Sequence, residues 1–421
     1  LGMLARNVYS LCCCNAVLCA SYSVDFLVFE ANRWSIRLMR YNWQQPDWPH
    51  FQYDLSGLQD LLVTFSARMG SAAGSLKALP DSDRTDVLLN LMVSEAIKTP
   101  EIEGEYFSRA DVMSSIRNNL GLNTSPESVT NIAARGVADL TVNARDTFEA
   151  PLSTALLFAW HEMLLGHHDG LHKLKIGGWR THAEPMQVVS GSPANQQVHF
   201  EAPLSKNVPA EMKQFGLWFN NTAPGGKKEI RIAPVRAAIT HLYFESIHPF
   251  EDGNGRIGRT LAEKALAQTL RFAPVLSLSS AIESTRDNYY AALQRGQSSN
   301  EITAWISWFL HTLMDAQSTA ETEIDFTIRK ASFFEQYMSE MNDRQVKVVR
   351  RMLQEGQKGF EGGMSTKKYC IIADTSKATA SRDLEHLTRL GAFRKYGGGR
   401  STPSDLALLQ TAGHNRIGGL P

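Results

Sequence analysis

Apolar residues recur every three or four positions along most of the chain, which is the spacing of helices that bury one face. Leu58, Leu61 and Phe65 open the first such stretch, and the small residues of 70–75 are predicted to connect it to the next helix. The same spacing predicts further helices over the segments 127–165, 209–220, 233–246, 256–271 and 304–318. The chain is therefore predicted to be mainly α.

One segment breaks this pattern. Between Lys175 and Pro203, glycines and prolines separate short apolar runs, among them MQVV and QVHF. Short runs bounded by turn residues are typical of strands. We therefore predict a β-hairpin over residues 186–200, which forms a flap between helices.

The pattern divides the chain into four parts. Residues 1–38 loosely resemble a signal peptide, but polar residues break their apolar run, so we interpret them as an extension outside the working fold, with a targeting segment as the alternative. An N-terminal helical lobe is predicted over 39–125 and a larger helical core over 126–325. A basic helix and a glycine-rich gap then lead to a compact terminal unit, 330–410.

Charge and cysteine content narrow the class of protein. Lys plus Arg and Asp plus Glu number 43 each, so the chain as a whole has no field that attracts nucleic acid or an anionic membrane. After residue 38 the sequence has no apolar run of the roughly 20 residues that a membrane span needs. Of the five cysteines only Cys370 lies outside the first twenty residues, which gives no disulfide framework and suits a reducing, cytoplasmic compartment.

The most informative segment is HPFEDGNGRIGR, residues 248–259. Behind it Ile257, Leu261 and Ala265 recur at helical spacing, so the loop leads into the N-terminus of a helix. Such an end presents unpaired N–H groups and a partial positive charge, which together attract anions. The sequence therefore predicts an anion site in this loop.

The glycines and arginines of the loop suit phosphate groups. Gly253 and Gly255 allow the backbone to approach a ligand closely. Arg256 and Arg259 are three residues apart on the new helix and add fixed cationic donors. A Gly-Asn-Gly is also an ordinary turn, and only the combination of features favours a binding site.

Two further residues of the loop have a chemistry that fits a polyphosphate. Asp252 supplies a hard oxygen for Mg²⁺, which usually accompanies such a ligand. His248 can accept a proton near neutral pH, although a histidine at a helix end is more often a simple hydrogen-bonding group. Phe250 is interpreted as an apolar anchor of the loop.

The segment resembles the signature of the Fic family, HPFx[D/E]GNGRxxR, with every specified position filled. The resemblance implies a helical core that transfers AMP from ATP to Ser, Thr or Tyr hydroxyls of other proteins. It implies that His248 deprotonates the hydroxyl and that Asp252 holds Mg²⁺ between the α- and β-phosphates. In the same scheme the phosphates are bound by the backbone amides of 253–255, by Asn254, by Arg256 and, at the γ-phosphate, by Arg259.

A second segment, TPEIEG at residues 99–104, resembles the inhibitory motif of the family, [S/T]xxxE[G/N]. This resemblance implies that Glu103 pairs with Arg259 and takes the cation that should receive the γ-phosphate. Thr99 followed by Pro100 is also an ordinary helix start, so a capped surface helix is the alternative.

Two weaker resemblances concern the target and the base of the nucleotide. Val188 and Val189 lie where the family has a flap that docks the target by strand pairing, but an ordinary packed hairpin fits as well. Tyr290 and Gln297 resemble the adenine-side wall of the family. The alternative is a tyrosine pair, formed with Tyr289, at a contact between helices.

The terminal unit resembles the winged helix-turn-helix that follows the catalytic core in one Fic subgroup, with a capped second helix within 366–390 and a wing over 396–402. Such modules bind either DNA or protein. The basic residues that could face DNA phosphates are Lys367, Lys368, Lys377, Arg382, Arg394, Lys395 and Arg400.

The resemblance thus implies an autoinhibited protein adenylyltransferase that uses ATP and Mg²⁺ and modifies a protein with a hydroxyl side chain. Removal of AMP, transfer of another phosphate-containing group by the same loop, and a nucleotide-sensing regulator that binds DNA are the alternatives. No membrane partner is expected. The number of subunits stays open, and a homodimer is one of the states allowed.

Overall fold

The computed structural model describes residues 41–166, 174–190, 197–356, 359–395 and 403–409, so the predicted extension 1–38 and the predicted wing 396–402 lie outside it. The described chain is mainly helical, which confirms the predicted fold class. Its first seven α-helices are α1 (Gln59–Ala78), α2 (Asp81–Ile102), α3 (Arg109–Asn119), α4 (Ile132–Asp146), α5 (Thr154–Leu165), α6 (Val208–Thr222) and α7 (Ala233–Ile247). The next seven are α8 (Asn254–Leu270), α9 (Leu278–Ser284), α10 (Arg286–Gly296), α11 (Thr303–Tyr337), α12 (Asp343–Leu353), α13 (Thr366–Ala373) and α14 (Lys377–Leu390).

The strands of the described residues form two small antiparallel sheets. β1 (Gln187–Ser190) pairs with β2 (Gln197–Glu201), and Val188 lies opposite Phe200. These are the strands of the predicted hairpin, whose tip lies outside the described residues. Near the C-terminus β3 (Phe393–Lys395) pairs with β4 (Ser404–Leu406).

Helix α7 is the centre of the larger hydrophobic core, because every one of its residues is buried. A helix that is apolar on most sides has to be surrounded by other elements. Its buried Arg236 donates to backbone oxygens of Phe219 and Ala265, which ties α6 and α8 to α7. Burial lowers the pKa of this guanidinium to about 10. The helix that ends at His248 is therefore held rigidly.

Two hydrophobic clusters divide the chain. The first contains apolar residues from Leu58 to Ile324, so the segments predicted as an N-terminal lobe and a catalytic core share one interior. The second begins with Phe326 and includes residues of α12, α13 and α14. The change falls inside α11, which is a single helix of 35 residues. The predicted boundary near residue 330 therefore lies within a continuous helix, not in a linker.

Three details of the predicted helices are wrong. The small residues 70–75 do not form a connection, because α1 continues through them and buries Met69, Ala72 and Leu76. Glycine costs a helix only about 1 kcal/mol, which such packing can offset. The segment 127–165 is interrupted at 147–153, where a turn follows α4 and Pro151 and the cap residue Ser153 precede α5. Residues 99–100 are not a helix start, since they lie in the last turns of α2.

Candidate functional site

The loop 248–253 connects α7 to α8 through two left-handed residues. His248 caps α7 with φ 50° and ψ 62°, and Gly253 precedes α8 with φ 82°. A non-glycine residue in this region costs energy, and such residues concentrate at functional sites. The loop therefore delivers a strained histidine next to the N-terminus of a buried helix.

The side chain of Asn254 holds the loop in shape. Its amide nitrogen donates to the backbone oxygen of Phe250 and its oxygen accepts from the backbone nitrogen of the same residue, both at 2.9 Å. Asn254 is only 2% exposed. Its side chain thus stabilises the loop, and only its backbone N–H at the start of α8 is left to serve a phosphate.

Phe250 anchors the loop, as predicted, and His161 of α5 supports it. The ring of Phe250 is fully buried and stacks on the imidazole of His161 with centroids 4.1 Å apart. Nε2 of His161 lies 3.1 Å from the backbone oxygen of Asp252, and Nδ1 accepts from the backbone nitrogen of Gly177 at 3.0 Å. The sequence did not single out His161.

Arg180 fixes the position of His248 from the segment before β1. Its Nε donates to the backbone oxygen of His248 at 2.8 Å, and Nη1 donates to the hydroxyl of Ser205 at 2.9 Å. Its side chain is 1% exposed, and burial lowers its pKa to about 10. This residue was also missed from sequence, because an arginine after Gly-Gly-Trp carries no local signal of a distant partner.

The imidazole of His248 is neutral at physiological pH. Burial, and next to it the positive charge of Arg180, lower its pKa to about 4. Nδ1 is buried without a hydrogen-bond partner, and the whole side chain is 14% exposed. Nε2 is therefore the ring nitrogen that can exchange a proton with a ligand.

Arg256 and Arg259 are buried at the first turns of α8. Arg256 is 3% exposed and Arg259 is 0% exposed. The Nε of Arg256 and the Nη1 of Arg259 are buried donors without an acceptor. Because an unpaired buried donor is costly, these two atoms fit an anion such as a phosphate at this position.

The carboxylate of Glu103 lies on Arg259. Its Oε1 is 3.0 Å from Nη2 of Arg259, and Oε2 accepts from the hydroxyl of Tyr290 at 3.3 Å. Thr99, in the same helix, accepts from Nε of Arg259 through its hydroxyl at 2.8 Å. A Cβ on Gly255 would come 2.3 Å from Oε1 of Glu103, so the carboxylate occupies the space that the glycine leaves open.

Sequence comparison assigns the segment that contains this loop. Residues 151–266 match the Fic/DOC family, and residues 41–122 match a domain of unknown function, DUF4172. Residues 151–266 are a Fic/DOC domain. The Fic domain thus spans α5 to most of α8, and the helix that bears Glu103 belongs to the neighbouring matched segment.

Several solved structures resemble the chain. A Fic family protein from Desulfovibrio desulfuricans is 19% identical, covers 87% of this chain and 99% of its own, and has a TM-score of 0.49. A signaling protein with a Fic domain from Bacteroides thetaiotaomicron is 18% identical over 62% of this chain and 97% of its own, with a TM-score of 0.44. Fic-1 from C. elegans is 18% identical over 72% and 78%, also with a TM-score of 0.44.

A second carboxylate faces the loop of the Fic domain and was missed from sequence. Glu105 Oε2 lies 2.9 Å from Nη1 of Arg256. Gly104, with φ 86°, turns the chain between Glu103 and Glu105. Both arginines at the start of α8 therefore face an acidic residue from the segment after α2. The signal in the sequence was the pair of glutamates two residues apart.

Asp252 is the residue of the loop that fits a metal ion. It is 43% exposed, and its Oδ1 accepts from Nη2 of Arg256 at 2.9 Å. The described residues contain no cluster of three or more His, Cys, Asp or Glu that could hold a metal. A single carboxylate completed by phosphate oxygens and water is the arrangement that Mg²⁺ commonly adopts.

The structure separates the two residues predicted to face adenine. Tyr290 is 37% exposed and its hydroxyl contacts Glu103, while burial and Glu103 raise its pKa. Gln297 is 5% exposed, and its amide donates to the backbone oxygen of Glu245 at 3.2 Å. Tyr289, which precedes Tyr290, is fully buried against His241. Tyr290 is thus available to a ligand, whereas the side chain of Gln297 is engaged in the interior.

The residues predicted for the flap and for the terminal unit lie outside the loop 248–253 and α8. Val188 and Val189 are on β1, where Val189 is 37% exposed and Val188 is partly buried. In the terminal unit Lys377 and Arg382 lie exposed on α14, and Arg394 and Lys395 lie exposed on β3. Arg400 is outside the described residues.

Among the helices that the structure describes, none has the length and apolar content needed to cross a membrane.

Proposed function

We propose that the chain is a protein adenylyltransferase that transfers AMP from ATP to a hydroxyl group of another protein. Fic/DOC domains typically transfer AMP or a similar group to proteins. The observation that carries the proposal is the neutral His248 beside the helix N-terminus that bears two arginines with unpaired buried donors. A base and a phosphate site in one loop are what an in-line displacement at phosphorus requires.

The proton transfer depends on His248. Its lowered pKa keeps the imidazole neutral, and Nε2 accepts the proton of the attacking hydroxyl as the oxygen bonds to the α-phosphorus. Pyrophosphate leaves with the electron pair of the broken P–O bond. Arg180 holds the backbone of His248, so the ring meets the hydroxyl in a fixed position.

The phosphates bind at the start of α8. Arg256 and Arg259 donate to phosphate oxygens through the atoms that lack partners, and the backbone N–H groups of 253–255 add weaker donors. Asp252 would hold Mg²⁺, which neutralises charge on the phosphates when it is bound. The arginines act through charge and position, and no covalent intermediate is required.

We further propose that two carboxylates restrain this site. Glu103 occupies Arg259 and the space beside Gly255, and Glu105 occupies Arg256. ATP has to displace both before its phosphates reach the arginines. Because Tyr290 and Thr99 also hold this arrangement, the segment after α2 forms a brake with several contacts.

Mass spectrometry of a target protein tests the proposal. The purified Glu103→Gly variant is incubated with Mg²⁺, ATP and a protein extract, and the masses of the modified peptides are measured. Addition of AMP to a Ser, Thr or Tyr supports the proposal. Addition of phosphate alone, or loss of AMP from a previously modified protein, would favour the alternative reactions of the same loop and overturn it.

A further inference from the structure

Two buried polar side chains of α7, His241 and Glu245, take no part in the reaction described above. They lie at positions i and i+4, so they share one face of the helix, and His248 caps the helix three residues after Glu245. This face packs on Gly258 of α8, where a Cβ would lie 2.3 Å from Oε1 of Glu245 and 3.3 Å from Nδ1 of His241. The glycine therefore makes room for a carboxyl group beside the catalytic loop.

Glu245 is an unusual residue for an interior. It is 3% exposed, and its Oε1 has no hydrogen-bond partner. Its Oε2 lies 3.6 Å from Nδ1 of His248, which is also buried without a partner. Burying unpaired polar atoms costs stability, so packing alone does not account for this pair.

The position of the proton on the His248 ring decides whether Nε2 can act as a base. A neutral ring carries one proton, and Nε2 can accept a second proton only when the first is on Nδ1. An acceptor beside Nδ1 favours that tautomer, and a negative charge there stabilises the cation formed by proton transfer. Among the described residues Glu245 has the carboxylate within 4 Å of Nδ1, and its backbone oxygen acts on the same ring and raises the pKa of His248.

We propose that Glu245 is a positioning residue for His248, whose carboxylate keeps the imidazole proton on Nδ1 and leaves Nε2 free to accept the proton of the attacking hydroxyl. This inference rests on the proposed function. The 3.6 Å separation exceeds a normal hydrogen bond, and a small rotation of the ring closes it as the imidazolium forms. Glu245 itself contacts neither ATP nor the hydroxyl.

The charges around Glu245 decide when it is ionised. Burial raises its pKa to about 8, Arg259 of α8 lowers it, and Glu103, the residue after α2, raises it. Tyr289 of α10 and His241 on the same helix complete the titratable groups that face it, and both are uncharged because burial raises the pKa of Tyr289 and lowers that of His241 to about 3. Loss of the carboxylate charge below this pKa would return His248 to the unproductive tautomer.

The pH dependence of transfer separates this role from a structural one. In the Glu103→Gly background, kcat is expected to rise with pH along a limb well above pH 4, the pKa region of His248 itself. Glu245→Gln is expected to lower kcat at least tenfold at pH 8 with an unchanged KM for ATP, and to leave the profile flat from pH 5 to pH 8. The proposal would be overturned if kcat fell by the same factor at every pH with the rising part of the profile unmoved, or if kcat did not fall.

Glu95→Gln is the matched control, since Glu95 is another buried carboxylate, 8% exposed, on α2. Its kcat should rise with pH as it does in the Glu103→Gly background. If Glu245→Gln does not fold, nitrogen-15 spectra of the His248 ring in the unaltered chain give the answer at pH 9. The expected tautomer carries the proton on Nδ1, and a majority with the proton on Nε2 would overturn the proposal. These spectra need no transfer, so an inactive Glu103→Gly chain refutes the proposed function without deciding this one.

Discussion

Removal of the carboxylate of Glu103 is the most direct perturbation of the site. This carboxylate pairs with Arg259, which is fully buried, and accepts from Tyr290, while its own side chain is 31% exposed. A charge-assisted hydrogen bond contributes about 1.5–3 kcal/mol, and partial exposure favours the lower half of that range. If ATP has to displace contacts worth about 2 kcal/mol, their removal should raise transfer roughly 30-fold at low ATP concentration.

The assay is the initial rate of AMP incorporation at ATP concentrations below Kd, together with calorimetric titration of ATP. Glu103→Gly should increase the rate and the affinity by similar factors. Glu101→Gln serves as the control, because Glu101 lies on the same turn of α2 but pairs with Lys98 instead of an arginine of the loop. An unchanged affinity in Glu103→Gly, or an equal increase in Glu101→Gln, would refute the reasoning.

Four further outcomes are expected. Glu105→Gln should tighten ATP binding by about twofold to fivefold, less than Glu103→Gly, because an exposed ion pair contributes little; calorimetry decides. His248→Ala should abolish transfer in the Glu103→Gly background while ATP still binds, and residual transfer would exclude His248 as the base. The folded state keeps His241 neutral with a pKa of about 3, so the free energy of unfolding should fall as the pH drops below about 6.5, by about 2 kcal/mol at pH 5. Urea unfolding measures this loss, which should be smaller in His241→Gln. Reversing the charges of Lys377 and Arg382 should weaken binding of labelled duplex DNA if α14 contacts phosphates, and unchanged binding would contradict that prediction.

The candidate loop could be predicted from sequence because its information is local. Residues 248–259 combine a histidine, glycines and arginines within one turn and one helix start, and periodic apolar residues indicate the helix behind them. The helical class followed for the same reason. The predicted pairing of Glu103 with Arg259 came from a motif, and the contact is present at 3.0 Å.

The supporting residues could not be predicted because their roles depend on distant partners. Arg180 binds the backbone of His248 across 68 positions of the chain, and Glu105 reaches Arg256 across 151. Neither residue type signals such a contact locally. The helix boundaries were missed where packing overrides propensity, as in α1, whose small residues lie against the core.

Helix α11 has a consequence for anyone who wishes to separate the two hydrophobic clusters. At 1.5 Å per residue its 35 residues extend for about 50 Å, and they contribute Ile324 to one interior and both Phe326 and Phe333 to the other. Cutting the chain at residue 330 would remove Phe326 from the second interior and leave it uncovered at the end of the first part. When terminal units are exchanged between related proteins, the whole of α11 should therefore come from one of the two parent proteins.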